Sequence, residues 1–251
     1  MKFCRRLTVI CVLMASIRPT MAIKPLVSGD VPTAPKGVYE LFVGYLFVEG
    51  GRVRAHEIPF WEVVYGVTER QELTIEAPLI VLDTPTGTER GIGDVVIGTK
   101  FRFFGEPEAD SGLSASLEVK LPTGDEERGL GSGATNVILL TRWGWEIGRE
   151  VVYFNLGYAW IDDQRDERLD NTWFYSGVWD HPVGQKLRLL TEVYGVTAQD
   201  PDGPNRLAGT IGVKWKVFPR QQFHFSVGRS LRTGAEGGPI SRLYTGWRWD
   251  F

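Results

Sequence analysis

Apolar and polar side chains alternate along most of the chain that follows residue 38. In RLAGTIGVKWKVF, residues 206–218, Ile211, Val213 and Trp215 share one face of an extended backbone and Lys214 lies on the other. About twelve segments of roughly ten residues show this period of two, which indicates β-strands with one apolar and one polar face. The sequence therefore predicts an all-β protein.

The connections between these segments alternate in length. Short turns are predicted at residues 68–71, 106–111, 144–150, 180–185 and 218–222, and longer polar loops at residues 48–57, 83–93, 122–133, 161–171, 197–205 and 232–241. Such alternation is typical of an up-and-down barrel, with tight turns at one end and long loops at the other. We predict a transmembrane up-and-down antiparallel β-barrel of about 12 strands over residues 39–251.

A soluble β-sandwich or a lipocalin-like barrel would also show alternation. Three features favour the membrane barrel. The segments exceed the ~5–6 residues usual in soluble strands. Their polar faces carry many full charges, whereas a small soluble barrel fills its interior with apolar side chains. Tryptophans gather at segment ends, as the aromatic girdles of membrane barrels do: Trp143, Trp145, Trp160, Trp173, Trp179, Trp247 and Trp249.

The polar faces of these strands should line the lumen. Parity places the following charged side chains inward: Glu72, Glu76, Lys100, Arg102, Glu118, Lys120, Arg142, Arg188, Glu192, Lys214, Lys216 and Arg248. Acids come mostly from early strands and bases from late ones. The lumen therefore either favours anions near the late strands or pairs opposite charges across a narrow interior. Pairing is the favoured interpretation, because a barrel of about 12 strands has a small lumen.

The amino-terminal residues have the composition of an export signal. Three basic residues precede an apolar run that is shorter than the ~20 residues needed to span a bilayer, and a small-residue site follows. This predicts a signal peptide over residues 1–22. Residues 23–38, rich in Pro, Gly and Ser, are predicted to form a short periplasmic lead-in, too short for a plug domain. The expected destination is the bacterial outer membrane, after export through the periplasm.

Composition excludes several kinds of chemistry. Both cysteines, Cys4 and Cys11, lie in the predicted signal peptide, so the exported chain has no thiolate nucleophile and no Cys-based metal site. That peptide also holds four of the 28 Lys and Arg and none of the 31 Asp and Glu, which leaves 24 basic against 31 acidic residues. An acidic chain without a basic block is a poor binder of nucleic acid.

The remaining candidates for catalysis are weak. The three histidines, His56, His181 and His224, show neither catalytic nor metal-ligand spacing. The acidic stretch 161–168 lacks the ligand alternation of a calcium loop. We therefore predict no catalytic residue, no metal site and no cofactor, and hence a protein that is not an enzyme.

Three stretches resemble one family. YGVTERQELTIEAP (65–78), GIGDVVIGTKFRF (91–103) and EVKLPTGDEERGLGSG (118–133) are similar to the outer-membrane family named for the MetA pathway of phenol degradation. The resemblance implies an outer-membrane barrel that transports small molecules, with aromatic or other hydrophobic compounds as its solutes.

The end of the chain resembles a second known pattern. SRLYTGWRWDF is similar to the aromatic carboxy-terminal signal of outer-membrane barrels, with Trp247, Trp249 and Phe251 in the matching positions. This resemblance implies that the barrel assembly machinery and outer-membrane lipids are partners of the chain.

The sequence leaves more than one function open. The first is a channel or transporter for passive passage of small molecules. The second is a structural or surface-interaction barrel with an occluded lumen. An outer-membrane hydrolase is a third, and it would need a His-centred constellation. Side-chain occlusion of the lumen in a structure would discriminate between the first two.

Overall fold

Antiparallel β-strands make up most of the chain in the computed structural model, which describes residues 25–107, 109–162, 168–201, 203–232 and 240–251. The strands are β1 (Tyr39–Gly50), β2 (Val53–Thr68), β3 (Gln71–Thr84), β4 (Gly87–Ile92), β5 (Val95–Phe104), β6 (Gly112–Leu121), β7 (Asn136–Ile147), β8 (Glu150–Trp160), β9 (Thr172–Val183), β10 (Leu187–Val196), β11 (Arg206–Phe218), β12 (Gln221–Arg232) and β13 (Ile240–Asp250). Within these ranges no helix is both long and apolar enough to cross a bilayer. The predicted signal peptide lies outside the described residues.

The sheet closes on itself. β1 pairs with β2 on one side and with β13 on the other, and β2 pairs with β3. Each remaining strand is antiparallel to its neighbour in the chain, except that β4 and β5 both pair with β3. These two are successive halves of one barrel strand, so the ring has 12 strands. The predicted antiparallel barrel of about 12 strands is confirmed.

The break between β4 and β5 follows from Pro78 on β3. Leu79 pairs with Ile92 of β4, and Glu76 pairs with Val96 of β5, so two residues of β3 face three of its partner. A proline cannot donate to the ladder and is tolerated at such bulges. Gly93 completes the bulge by donating its N–H to the carbonyl of Pro78 at 2.9 Å.

The two faces of the sheet have opposite character. On β11, Ile211 and Trp215 are 57% and 48% exposed, while Thr210, which directly precedes Ile211, is 3% exposed. On β8, Phe154 and Leu156 face outward, and Asn155 is buried. Polar side chains thus point into the barrel and large apolar ones point out of it, which is the inverse of a soluble protein and the arrangement of a membrane barrel.

The two ends of the barrel differ in their connections. Tyr39 donates its N–H to the carbonyl of Phe251 at 3.3 Å, and Phe251 donates to the carbonyl of Tyr39 at 2.8 Å. The start of β1 and the end of β13 therefore lie at the same end of the barrel. This end also carries the short turns, and we call it the turn end. The opposite end, the loop end, carries the connections from β6 to β7, β8 to β9, β10 to β11 and β12 to β13.

Two predicted long loops at the loop end are strands instead. Residues 48–57 mostly belong to β1 and β2, and residues 83–93 mostly belong to β3 and β4. A tight turn after Gly50 connects β1 to β2, and another after Thr84 connects β3 to β4. Glycines and charged residues hid the alternation in these stretches. The predicted loops 161–171 and 232–241 include residues 163–167 and 233–239, which lie outside the described residues.

The stretch before β1 lies in the barrel. Residues 25–35, PLVSGDVPTAP, form an irregular chain that we call the lumen segment, and its Leu26, Ser28 and Val31 are at most 1% exposed. The prediction of a periplasmic lead-in over residues 23–38 is therefore wrong for this part. It assumed that so short a stretch would stay outside, whereas an extended chain of eleven residues reaches about 35 Å.

Candidate functional site

Opposite walls of the barrel hold the backbone of the lumen segment. The Glu192 carboxylate on β10 accepts hydrogen bonds from the N–H groups of Val27, at 3.1 Å, and Ser28, at 2.7 Å. Six strands further around the ring, Glu72 on β3 accepts from the N–H of Ala34 at 2.6 Å. These two carboxylates therefore fix the two ends of the segment across the lumen.

Further wall groups complete the hydrogen bonding of the segment. Asn155 Oδ1 on β8 accepts from the N–H of Gly29 at 3.1 Å. The carbonyl of Pro25 accepts from Ser226 Oγ at 2.7 Å and from an Arg242 nitrogen at 2.9 Å. Ser28 Oγ also donates to Ser176 Oγ and approaches Glu192. The walls thus satisfy the backbone as a neighbouring strand would, which a buried irregular segment requires.

The composition of the segment suits a polar interior. Pro25, Pro32 and Pro35 carry no N–H group, so the walls have fewer donors to satisfy. Leu26 and Val31 pack in one apolar cluster with wall residues, whose members are Val151, Tyr153, Val178 and Leu190. Burying an aliphatic side chain contributes about 1.5–3 kcal/mol. The segment is therefore held by packing as well as by hydrogen bonds.

Asp30 is the charged residue of the segment, and cations from two walls reach it. Its Oδ1 lies 3.5 Å from Lys100 Nζ on β5, and its Oδ2 lies 3.8 Å from Lys214 Nζ on β11. Lys100 also pairs with Glu72 at 3.0 Å. Arg142 and Arg248 act on the Asp30 carboxylate through space. Asp30 is thus surrounded by several cations, one of which, Lys100, also has Glu72 as a partner.

The structure places the twelve predicted lumen residues in three classes of exposure. Three are half-buried, namely Arg188, Lys214 and Arg248, and Lys216 is exposed. The other eight are buried: Glu72, Glu76, Lys100, Arg102, Glu118, Lys120, Arg142 and Glu192. Fully buried charges in such number are rare in soluble proteins, because each needs a partner.

Opposite charges meet at short range among these residues. Arg142 lies 3.8 Å from Glu118 and donates to Ser116 Oγ at 3.0 Å. Arg248 pairs with Glu40 at 2.7 Å and with Asp250 at 2.5 Å. Lys120 pairs with Asp94 at 2.9 Å, and Arg188 with Asp180 at 2.7 Å. Each of these pairs joins neighbouring strands or residues of one strand, so the charges pair along the wall rather than across the interior as predicted.

The sequence predicted four of the residues that hold the segment, Glu72, Lys100, Glu192 and Lys214, and missed the others. Asp30 and Ser28 lie in the stretch that the sequence assigned to a linker, and Asn155, Ser176 and Ser226 are uncharged residues on inward faces. One signal was present. Leu26, Val27 and Val31 give the segment an apolar content that a solvated linker does not need.

A loop folds over the lumen at the loop end. Asp94, at the β4–β5 bulge, accepts from Lys120 Nζ at 2.9 Å and from the N–H groups of Gly124 at 3.1 Å and Ser132 at 2.9 Å. These bonds draw in residues 122–135, which we call the inward loop. Leu130 of this loop is 2% exposed and packs against Val53, Ala55 and Leu82.

The turn between β5 and β6 folds inward at the other end. Arg102 donates to the carbonyl of Ser111 at 2.9 Å, and Glu146 accepts from the N–H groups of Asp110 and Ser111. Tyr153 donates to the Asp110 carboxylate. Burial raises the pKa of Asp110 above its ordinary value, against the opposing effects of Tyr153 and Arg188. This turn narrows the lumen at the turn end.

The histidines lie on different strands. His56 on β2 contacts Tyr45 of β1 and Asp83 of β3. His181 on β9 contacts Glu150 of β8, and His224 on β12 is buried. In the ranges that the structure describes, no group of three or more His, Cys, Asp and Glu side chains is placed to hold a metal ion.

Solved structures share this barrel. The COG4313 outer membrane channel from Pseudomonas putida F1 superposes with a TM-score of 0.74 and 16% identity, over 90% of this chain and 100% of that one. The NanC porin gives 0.61 and 10%, over 83% and 98%. The translocator domain of the autotransporter NalP from Neisseria meningitidis gives 0.56 and 10%, over 88% and 91%. Among curated proteins, none matches this sequence.

These likenesses establish the fold. Proteins with this architecture include both porins and a translocator domain, so the shared barrel does not by itself assign a function. The fold and the outward apolar surface together make this chain an outer-membrane β-barrel.

The sequence itself supplies the family. The model of the family described as "Putative MetA-pathway of phenol degradation" matches residues 59–243. This range includes most of the barrel and all three motif stretches, and it begins after β1. The resemblance inferred from those stretches is confirmed. This chain belongs to that family of outer-membrane barrels.

Proposed function

We propose that the protein is a channel for passive passage of small molecules through the outer membrane, and that the lumen segment closes it. The observation that carries the proposal is the way the segment is held. The segment has no β-ladder hydrogen bonds. Side chains of the barrel wall hold it through hydrogen bonds and ion pairs, and these side chains lie on β3, β5, β8, β10, β11, β12 and β13. Such contacts can be exchanged for water or solute without breaking the barrel.

The energetics allow opening. Each hydrogen bond to the segment contributes about 0.5–1.5 kcal/mol net between neutral groups and about 1.5–3 kcal/mol where Glu72, Glu192 or Arg242 takes part, because water replaces the lost partner. The ladder between strands involves far more bonds and stays intact. Release of the segment is therefore a local event on a rigid scaffold, as mobile gating elements generally are. The wall that it uncovers is mainly polar and ionic, which suits a water-filled path. It also includes the apolar patch on which Leu26 and Val31 pack.

The solute class remains a proposal in two parts. The family description refers to phenol degradation, which supports aromatic compounds as solutes. The lumen wall supports polar or charged ones, since its buried side chains are mainly Glu, Lys, Arg, Ser and Asn. A solute with both an apolar body and a polar group fits both. The proposal includes no catalytic step.

The test is conductance in planar bilayers. The exported chain is compared with a variant that lacks residues 25–35, after gel mobility with and without heating has shown that both barrels fold. The proposal expects small or intermittent currents from the intact chain and larger, steadier ones from the deletion variant. A folded deletion variant that passes neither ions nor small solutes would overturn it.

The lumen segment also favours a second candidate, a structural or surface-interaction barrel that stays occluded. Its lumen would be permanently filled and its outer loops would be the working surface. The same experiment separates the two, because this candidate expects silence from the intact chain under every solute, and segment residues that remain inaccessible to reagents in water.

A further inference from the structure

Asp30 has the position of a bound solute. It is the only charged residue in the lumen segment, and its side chain, a methylene that bears a carboxylate, extends into the lumen between two lysines on opposite strands. The rest of the segment is held through its backbone, the uncharged hydroxyls of Ser28 and Thr33, and its apolar side chains. The lysines therefore recognise one small chemical group rather than the peptide as a whole.

The two lysines depend on Asp30 to different degrees. Lys100 is 4% exposed and keeps a second partner, Glu72, at 3.0 Å. Lys214 is 18% exposed, and in the part of the chain that the structure describes Asp30 is the carboxylate within ion-pair distance of it. When the segment leaves, Lys214 loses its counter-charge in a confined lumen. A cation in that position attracts an anion from solution.

We infer that Lys214 and Lys100 form a binding site for small carboxylate solutes, and that Asp30 fills this site when the channel is closed. The inference rests on the proposed function, since a solute needs an open path to reach the site. Lysine ammonium groups act as compact point charges and do not impose the planar two-pronged geometry of arginine. They suit a small monocarboxylate that approaches end-on, as Asp30 does.

The site also couples cargo to opening. A carboxylate solute and Asp30 compete for the same cations, so the solute binds the open state and not the closed one. Binding to one of two states shifts the population toward it. A carboxylate that enters the lumen thereby stabilises the open channel, whereas an uncharged molecule of the same shape does not.

Neighbouring acids limit what the site accepts. Glu72 stays beside Lys100, and Glu118 stays beside Arg142. The local excess of positive charge after release of Asp30 is thus small, and a solute with several negative charges would meet repulsion from these carboxylates. This favours monoanions over polyanions.

The test uses propionate, which matches the Asp30 side chain, and propionamide, which has the same shape without the charge. Currents are recorded in potassium chloride from the full exported chain carrying Asp30→Asn, which removes the competing carboxylate, and from the folded variant that lacks residues 25–35, in which both lysines lose Asp30. Propionate is expected to reduce the chloride current in a saturable way, and propionamide is not.

Two lysine variants show where propionate binds. Lys214→Met, added to Asp30→Asn, is expected to raise the half-blocking propionate concentration about five- to tenfold, as expected for loss of one close charge. Lys216→Met is the matched control, because Lys216 lies exposed on the same strand, two residues away, and it should leave the half-blocking concentration unchanged. In the chain with Asp30 intact, propionate should raise the fraction of time spent open.

The outcomes separate the two proposals. If the Asp30→Asn barrel conducts, but propionate and propionamide act alike or Lys214→Met changes nothing, the carboxylate site is refuted and the channel survives. A current that chloride or phosphate blocks and propionate does not would also refute the carboxylate site. If folded Asp30→Asn and deletion variants are both silent, the channel itself is refuted, and the site with it.

Discussion

Lys100 and Lys214 approach the same carboxylate from strands that are six positions apart in a ring of twelve, at 3.5 Å and 3.8 Å from the two oxygens of Asp30. The lumen is therefore narrow enough at this level for two lysines and one aspartate to span it. Under the proposed function, a solute that passes between these two lysines must displace the Asp30 side chain.

Glu192→Gln should loosen the lumen segment. The carboxylate accepts two backbone N–H groups, and an amide offers one acceptor and brings donors against donors. Because residues 25–251 contain no cysteine, Val31→Cys in a protein of these residues can report on the segment, and its labelling by a maleimide should become about tenfold faster. Glu49→Gln, which alters an exposed pair with Arg54, is the control. Equal labelling rates in both backgrounds would contradict the clamp.

Gly66→Ala should displace the segment without removing a charge. A Cβ at Gly66 would lie 2.0 Å from the carbonyl oxygen of Pro35 and 2.5 Å from that of Ala34. The segment must shift, and channel currents should increase. Gly177→Ala is the control, since its Cβ would have no neighbour closer than 3.9 Å. Identical currents from the two folded variants would argue against a closing role of the segment at this point.

Asp94→Asn should release the inward loop. The carboxylate holds Lys120, Gly124 and Ser132, and an amide presents an N–H₂ group to some of these donors. Trypsin should then cut after the exposed Arg128 at least several-fold faster while the barrel remains folded. Glu127→Gln, exposed in the same loop, should cut at the original rate. Unchanged proteolysis of the Asp94 variant would show that other contacts hold the loop.

Ile211→Arg should destabilise the barrel in lipid. Ile211 is exposed near the middle of β11 and faces outward, where an arginine costs about 2–4 kcal/mol at the bilayer midplane. Leu231→Arg, near the loop end of β12, should cost about 0–1 kcal/mol. Denaturant titrations of both variants in liposomes measure the difference. Similar losses at the two positions would mean that the apolar belt does not cover the middle of β11.

Phe251→Ala should lower assembly in cells and leave the finished barrel stable. The Phe251 ring is 64% exposed, and the barrel closes through backbone hydrogen bonds to Tyr39 that alanine retains. Purified and refolded, the variant should unfold at the original temperature, but less of it should reach the outer membrane. Phe251→Tyr is expected to restore the amount. A matching fall in the unfolding temperature would point to packing rather than to recognition by the assembly machinery.

Parity along each strand predicted much of the fold and of the lumen wall. Thr210 and Lys214 have even numbers and Ile211 has an odd one. Because successive side chains of a strand point to opposite faces, the first two are expected inside the barrel and Ile211 outside. Closure into about 12 strands followed from the number of segments and the alternation of connections. In residues 48–57, glycines and charged residues interrupt the alternation, and the sequence therefore predicted a loop where the structure has strands β1 and β2.

Local features follow from the order of residues along the chain: which segments are strands, which side chains share a face, and that one face is apolar and the other ionic. The identity of the segment that fills the barrel depends on long-range contacts in the folded ring. Glu72 and Glu192 lie 120 residues apart, and Asp30 meets Lys214 across 184 positions. Such contacts depend on the closure and width of the ring, and no period along the chain encodes them. The lumen segment therefore resembles a linker in sequence and becomes the centre of the site only when the barrel closes around it.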